Sequence, residues 1–240
     1  LLGKEKDAPE SFHRIDLLDK LLTVYREILL KLESMGVEWV QIEEPFLALD
    51  TNAKTDQAFR RTYESLDNKI EDLSLLLTTY FEGLGNNIEL ACNLPVEGLH
   101  VDLVEAPDQL DEVSSKIGDQ KLLSLGLIDG RNIWKTDFEE AVNAIQRAEK
   151  ELGSDQLMIA PSCSLLHCPV DLEQETDETA LPVEVKRWMA FSNQKLEELN
   201  LLKKVVQDDL SEEEKKQFVS HQDDISNKGK SKLVHNKAVQ

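Results

Sequence analysis

Val37-Glu38-Trp39-Val40-Gln41-Ile42-Glu43-Glu44-Pro45 runs from an apolar strand core straight into two carboxylates and a proline. Four later runs end in a similar way: 75–80 into Phe81-Glu82-Gly83, 98–104 into Glu105, 122–127 into Ile128-Asp129-Gly130-Arg131, and 157–160 into Pro161-Ser162-Cys163. Short buried strands that each finish on chemically able residues read as one face of a parallel α/β sheet, where such folds keep their sites.

Helix signals fill the gaps between these strands. Residues 15–35 place apolar side chains at 17, 18, 21, 22, 25, 28, 29 and 32, close to a 3.6-residue period, and Gly36 follows as a stop. A second helix is expected from Asp56 to about Lys69, and Pro107 opens another from its first turn. Thr136-Asp137-Phe138-Glu139 fits a capping box for a helix that runs to Leu152 and stops at Gly153. Residues 183–206 read as one long helix, and 211–240 as a polar surface segment or linker rather than core. The alternation predicts a βα-repeat protein. Five strands are too few to close an eight-stranded barrel, so the fold class expected is α/β, an incomplete (β/α)8 TIM-type barrel with about five strands. Such a piece has apolar strand edges exposed unless residues outside it cover them.

A chain of 240 residues can bury the core of one such domain. Its net charge of −20 argues against nucleic acid or an anionic membrane surface as a general partner, though not against a local basic pocket. There is no run of 18 apolar residues, so no transmembrane span is expected. The start, Leu1-Leu2-Gly3-Lys4-Glu5-Lys6-Asp7, lacks a starter methionine and a signal-peptide apolar region. Cys92, Cys163 and Cys168 form no disulfide framework, and a reducing, cytoplasmic setting is expected.

Several groups could do chemistry. Glu43 and Glu44 fall on opposite faces if the strand continues that far, one towards a barrel mouth and one towards flanking helices. Pro45 ends ladder pairing, and Trp39 and Phe46 read as packing residues. Cys163, His167 and Cys168 form Cys-x3-His-Cys, whose atoms suit zinc but whose spacing departs from common structural sites. Cys163 as a nucleophile has His167 nearby in sequence but no identifiable orienting group. The competing reading makes Cys163 and Cys168 small hydrophobes near a strand end. His13 and His100 are the other histidines of the folded part; His221 and His235 fall in the polar tail, and His100, mid-strand, reads as a buried hydrogen-bonded residue. Asp129-Gly130-Arg131-Asn132 offers either a ligand contact or an internal Asp129–Arg131 network. Gly83-Leu84-Gly85 lacks the spacing and lysine of a phosphate loop, and no glycine-serine elbow occurs.

Five ordered motifs together closely resemble the amino-terminal half of cobalamin-independent methionine synthase, the 5-methyltetrahydropteroyltriglutamate–homocysteine S-methyltransferase family. They are Trp39-Val40-Gln41-Ile42-Glu43-Glu44-Pro45, Thr79-Tyr80-Phe81-Glu82-Gly83-Leu84, Leu94-Pro95-Val96-Glu97-Gly98-Leu99-His100-Val101-Asp102, Ile128-Asp129-Gly130-Arg131-Asn132-Ile133-Trp134 and Pro161-Ser162-Cys163-Ser164-Leu165-Leu166-His167. The resemblance covers about residues 1–208, and 232–240 is similar to the linker entering the second half. It implies two face-to-face (β/α)8 barrels, of which the carboxy-terminal one carries the catalytic zinc, homocysteine and most folate contacts. The amino-terminal barrel is its degenerate relative and helps bind the folate polyglutamate tail, through lysines that precede the portion present in this chain.

By motif position, Thr78 and Tyr80 stand where the catalytic half has a zinc-binding His and Cys, and Gly126 stands near its Glu. Only Cys163 keeps a ligand-type residue. The resemblance therefore implies no catalytic residue and no metal site in this chain, with Glu43, Asp129 and Arg131 as barrel-mouth residues. It implies residues 1–208 as part of the amino-terminal barrel and 209–240 as a polar helix or linker leading to the catalytic barrel, which is the partner. Zinc, homocysteine and 5-methyltetrahydrofolate polyglutamate belong to the intact enzyme. Two alternatives stand beside this reading: a freestanding barrel-like enzyme using Glu43, Asp129 and Cys163, and a purely structural domain.

Overall fold

The computed structural model describes residues 7, 9, 12–67 and 72–235. The elements run α1 (Leu18–Ser34), β1 (Trp39–Glu43), α2 (Ala53–Asp67), β2 (Ser74–Thr78), α3 (Ile88–Asn93), β3 (Gly98–Asp102), α4 (Leu110–Lys116), β4 (Leu122–Ile128), α5 (Phe138–Leu152), β5 (Leu157–Pro161), α6 (Val183–Lys186), α7 (Ser192–Val206) and α8 (Glu212–Lys228). The five strands form a parallel sheet in the order β1-β2-β3-β4-β5, flanked by helices as in part of a (β/α)8 barrel. Strand order equal to chain order is what right-handed βαβ repeats generate. Two compact units are distinguished, one of residues 1–124 with Glu151–Met158 and one of Leu125–Lys150 with 159–240. Among the described residues no helix is long and apolar enough to cross a membrane.

In the first unit, Trp39 through Glu43 pair with Ser74 through Thr78, and Leu76, Leu77 and Thr78 pair with Gly98, Leu99 and His100. Every residue of β3 is buried, whereas β1 at the edge alternates between exposed and half-buried. Trp39 is 39% exposed there, and Met158 on the opposite edge strand is 38% exposed, so the expected apolar strand edges are present. Gly98 is closely packed: a Cβ at this position would lie 2.8 Å from Leu76 Cδ1 and 3.4 Å from Trp39 Cζ3, so the leucine side chain would have to shift. His100 is buried with Nδ1 2.9 Å from Ser124 Oγ, as its mid-strand position suggested.

Several boundaries differ from the sequence expectation for local reasons. α2 begins at Ala53 because Asn52 Oδ1 accepts from the Lys54 and Thr55 amides, both at 3.1 Å; its expected end near Lys69 falls outside the described residues. β3 stops at Asp102, whose Oδ1 accepts from the Val104 and Glu105 amides at 3.0 Å and turns the chain.

In the second unit the expected Thr136 capping box is replaced. Asp137 Oδ1 accepts from the Glu139 amide at 2.9 Å, while the Thr136 hydroxyl donates to Glu198 Oε2 at 2.9 Å. α5 does end at Leu152, before Gly153 at φ 84°. The single helix expected over 183–206 is broken into α6 and α7. Trp188, Met189, Ala190 and Phe191 are all buried, which four successive helical residues on one face cannot achieve. The chain instead turns at Arg187 and Trp188 and then pairs Met189 with Trp134, with Lys135 N donating to Trp188 O and Ala190 N to Ile133 O, both at 2.9 Å.

Residues 212–228, expected as a polar surface helix or linker, form a helix with buried residues. Ser211 and Glu214 make a reciprocal capping box at its start. His221 and Asp224 are buried; the His221 ring stacks on Phe138 at 4.1 Å, and Phe218 stacks on the same ring at 5.9 Å. Residues 236–240 of the linker expectation lie outside the described residues.

Candidate functional site

β1 ends at Glu43, so the strand alternation stops before Glu44 and Pro45 starts a 3-10 turn, Pro45–Ala48. Glu43 turns towards the loop after β2 and Glu44 towards the flanking helix α2, and both line one cavity of about 510 Å³. Glu43 Oε2 accepts from Tyr80 OH at 2.7 Å, and Glu44 Oε1 accepts from Tyr63 OH of α2 at 3.0 Å. Burial pushes the Glu44 carboxyl up, and the Tyr63 hydroxyl offsets this only in part. Tyr63 itself is raised well above its ordinary value, first by burial and then by the Glu44 charge, so it stays a donor.

The end of β2 is shaped by β3. Phe81 sits at φ 79°, a left-handed conformation uncommon for an aromatic residue, and its amide donates to Asp102 Oδ2 at 3.1 Å. Gln109 Nε2 donates to Asp102 O at 2.7 Å and its Oε1 accepts from Leu84 N at 3.0 Å, locking this loop to the turn before α4. The Thr78 hydroxyl is buried without a hydrogen-bond partner.

In the second unit the residues after β4 form a self-contained turn. Asp129 Oδ1 accepts from the Arg131 amide at 2.7 Å and the Asn132 amide at 3.2 Å, and Oδ2 accepts from Asn132 Nδ2 at 2.5 Å. Asp129 thus accepts from amides of its own turn, and Arg131 is exposed. Lys195 of α7, with 0% exposure, donates to Asn132 Oδ1 at 3.2 Å and Trp134 O at 3.0 Å. Burial lowers its ammonium, while Glu198 and then Cys168 favour the charged form. Glu198 is pushed up to about 7 by burial, against the Thr136 hydroxyl and the Lys195 charge.

Cys163 packs on this turn so closely that a Cβ on Gly130 would lie 2.7 Å from Cys163 O and 2.8 Å from its Sγ. Cys168 Sγ lies 3.0 Å from both Gly130 O and Asn132 O, and burial raises its thiol above the usual value. Both cysteines are buried, as small hydrophobes near a strand end would be, and His167 is exposed. Glu43 belongs to the first unit, Asp129 and Cys163 to the second.

The donor chemistry at the four positions set against zinc does not suit that metal. They supply a buried threonine hydroxyl, a phenol hydrogen-bonded to Glu43, a glycine and one thiol. Tetrahedral zinc is held by thiolate, imidazole or carboxylate groups, almost always four in a structural site and three in a catalytic one. Among the described residues no group of three or more His, Cys, Asp or Glu is arranged to hold a metal ion.

Tyr63, Asp102, Lys195 and Glu198 were not singled out in the sequence. Lys195, Glu198 and Leu202 share one helix face at i, i+3 and i+7, but charged residues on a helix are read as its solvent side unless a buried partner is known.

The fold and these strand ends define an α/β protein built on the (β/α)8 plan. The family described as cobalamin-independent synthase, N-terminal domain, matches residues 1–153, and the chain belongs to that family. The 5-methyltetrahydropteroyltriglutamate–homocysteine methyltransferase of Cytophaga hutchinsonii is 43% identical over 241 residues, covering 100% of this chain and 31% of the relative. The Coxiella burnetii protein of the same name is 45% identical over 239 residues, covering 100% and 30%. That of Xylella fastidiosa is 50% identical over 202 residues, covering 84% and 26%. The chain therefore spans about a third or less of the length of these relatives. A B12-independent methionine synthase from Shewanella sp. W3-18-1, in complex with selenomethionine, superposes with a TM-score of 0.63 at 16% identity, covering 83% of this chain and 57% of that one. A putative vitamin-B12 independent methionine synthase from Listeria monocytogenes gives 0.57 at 16% identity, covering 82% and 56%. These two likenesses concern the fold alone.

Proposed function

We propose that this chain is amino-terminal scaffold and domain interface of an enzyme that moves a methyl group from 5-methyltetrahydrofolate polyglutamate to homocysteine, making methionine in the cytoplasm. The observation that carries this reading is the alignment of the whole chain, at 43% and 45% identity, with about a third of two relatives bearing that methyltransferase name. On this reading residues 1–208 belong to the amino-terminal barrel, and 209–240 lead towards a carboxy-terminal catalytic barrel that binds zinc, homocysteine and folate. The donor set at Thr78, Tyr80, Gly126 and Cys163 supports placing the metal in that other barrel, because it offers a single thiol. Glu43, Asp129 and Arg131 stand at the carboxyl ends of β1 and β4, the side of a parallel sheet on which a second barrel would close.

The test is methyl transfer by the purified chain with zinc, homocysteine and methyltetrahydropteroyl triglutamate. No methionine above the protein-free control is expected. Catalytic turnover by the chain alone would overturn the scaffold reading.

A further inference from the structure

The cavity beside Glu43 and Glu44 has a composition that scaffold duty does not explain. The chain contains three tyrosines, Tyr25, Tyr63 and Tyr80, and all three line it. They come from three separate elements: Tyr25 from α1, Tyr63 from α2 and Tyr80 from the loop after β2. Two hydroxyls are turned to the carboxylates, Tyr80 to Glu43 and Tyr63 to Glu44. Phe46 and Phe59 add further aromatic surface. The floor is buried, with Phe59, Tyr63 and Leu66 each no more than 3% exposed, while Leu21 and Tyr25 stand half exposed at the rim.

The charge balance of this cavity is one-sided. Among the described residues that line it, the acidic groups are Glu43 and Glu44 and the basic one is Arg14, which lies exposed on the 3-10 turn before α1. Glu43 is exposed, but Glu44 is half-buried, and a desolvated carboxylate among aromatic and aliphatic side chains is costly unless a cation or several donors compensate it. The two carboxylates accept from two neutral phenols and, for Glu43, from the Gln41 amide at 3.4 Å. Aromatic surface with embedded carboxylates is the complement of an organic cation. A guanidinium suits this cavity better than an ammonium. It is weakly hydrated, stacks on rings, and presents a planar fork of donors to the lone pairs that single tyrosine bonds leave on each carboxylate. At about 510 Å³ the space lies within the range of small-molecule sites, larger than the guanidinium group itself.

We propose that the cavity lined by Glu43, Glu44, Tyr25, Tyr63 and Tyr80 binds a small organic cation through its guanidinium group. The carboxylates take the planar fork and the tyrosine and phenylalanine rings enclose it. This inference is independent of the methyltransferase reading, since it uses neither the zinc positions nor a folate contact.

The three tyrosines also provide the readout. The whole chain, labelled at tyrosine ring carbons, is titrated by NMR with N-acetyl-arginine methylamide and with its neutral isostere N-acetyl-citrulline methylamide. Saturable shifts of all three tyrosine signals are expected with the arginine probe and none with the citrulline probe, and methylguanidinium should displace the arginine probe. Glu44→Gln keeps an acceptor for Tyr63 but removes the charge, and should weaken binding about tenfold or more. Wild-type binding should tighten as pH rises through the raised Glu44 value, because only the ionised carboxylate attracts the cation; this arm remains informative if the variant fails to fold. Arg14→Gln should bind as well or better, since a rim cation is removed. Equal binding of the citrulline probe, absence of saturation, or undiminished affinity in a folded Glu44→Gln would each overturn the proposal. So would an arginine peptide that binds but is not displaced by methylguanidinium, since the ligand would then be the peptide.

Discussion

Tyr80 donates its hydroxyl proton to Glu43 Oε2 across 2.7 Å, tying the loop after β2 to the end of β1. At Tyr80, one of the positions that the family resemblance sets against a metal ligand, a phenol anchors a carboxylate. Tyr80→Phe removes one charge-assisted bond and should lower stability by about 1.5–3 kcal/mol. Urea unfolding checks this, and an unchanged midpoint would mean that the bond contributes nothing net.

Gly130 is packed face to face with Cys163. A methyl group there would approach Cys163 O to 2.7 Å, and a backbone carbonyl cannot retreat as a flexible side chain would. Gly130→Ala should therefore destabilise the protein by about 1–3 kcal/mol, as overpacking does. Cys163→Ala alone should be milder; if the double variant recovered full stability, the sulfur rather than the carbonyl would be the obstacle.

Lys195 is a buried structural cation. Replacing it with Met keeps the bulk but strips donors from Asn132 Oδ1 and Trp134 O, at an expected cost of about 1–3 kcal/mol. The loss should appear as faster hydrogen exchange at the Asn132 and Trp134 amides. Uniform exchange across unit 2 would point instead to global unfolding.

Glu198 imposes a pH dependence with a definite sign. Its folded value is raised to about 7 from an ordinary 4.5, so the protonated form is the one the fold favours. That contribution is fully present below about 4.5 and is lost as pH rises towards about 7. His221 acts oppositely: burial depresses its value below 6.5, and its contribution is lost as pH falls through the depressed value. Glu198→Gln should gain stability relative to wild type between pH 5 and pH 8, by up to ~3 kcal/mol. Denaturant midpoints at the two pH values measure it, and a difference that stays flat would contradict a neutral buried Glu198.

The five strands were legible in the sequence because each combines an apolar run with a break, although β2 ends at Thr78 and β3 at Asp102, two residues earlier than read. His100 was legible too, since a mid-strand histidine between apolar neighbours has no solvent to face. Residues 188–191 were not. Their apolar character fits helix or extended chain equally, and a bridge to residues 133–135 decided between them. α8 looked like linker because its buried positions are His221 and Asp224. Asp224 bridges Lys135 and Arg187, each at 2.8 Å, contacts that no local pattern announces.

The most direct measurement is a single-turnover experiment with the purified chain in excess over methyltetrahydropteroyl triglutamate, with homocysteine and zinc supplied, followed by quantifying methionine. The scaffold account expects none above the protein-free control over hours. Methionine formed in proportion to the chain, and lost in Cys163→Ser, would contradict it.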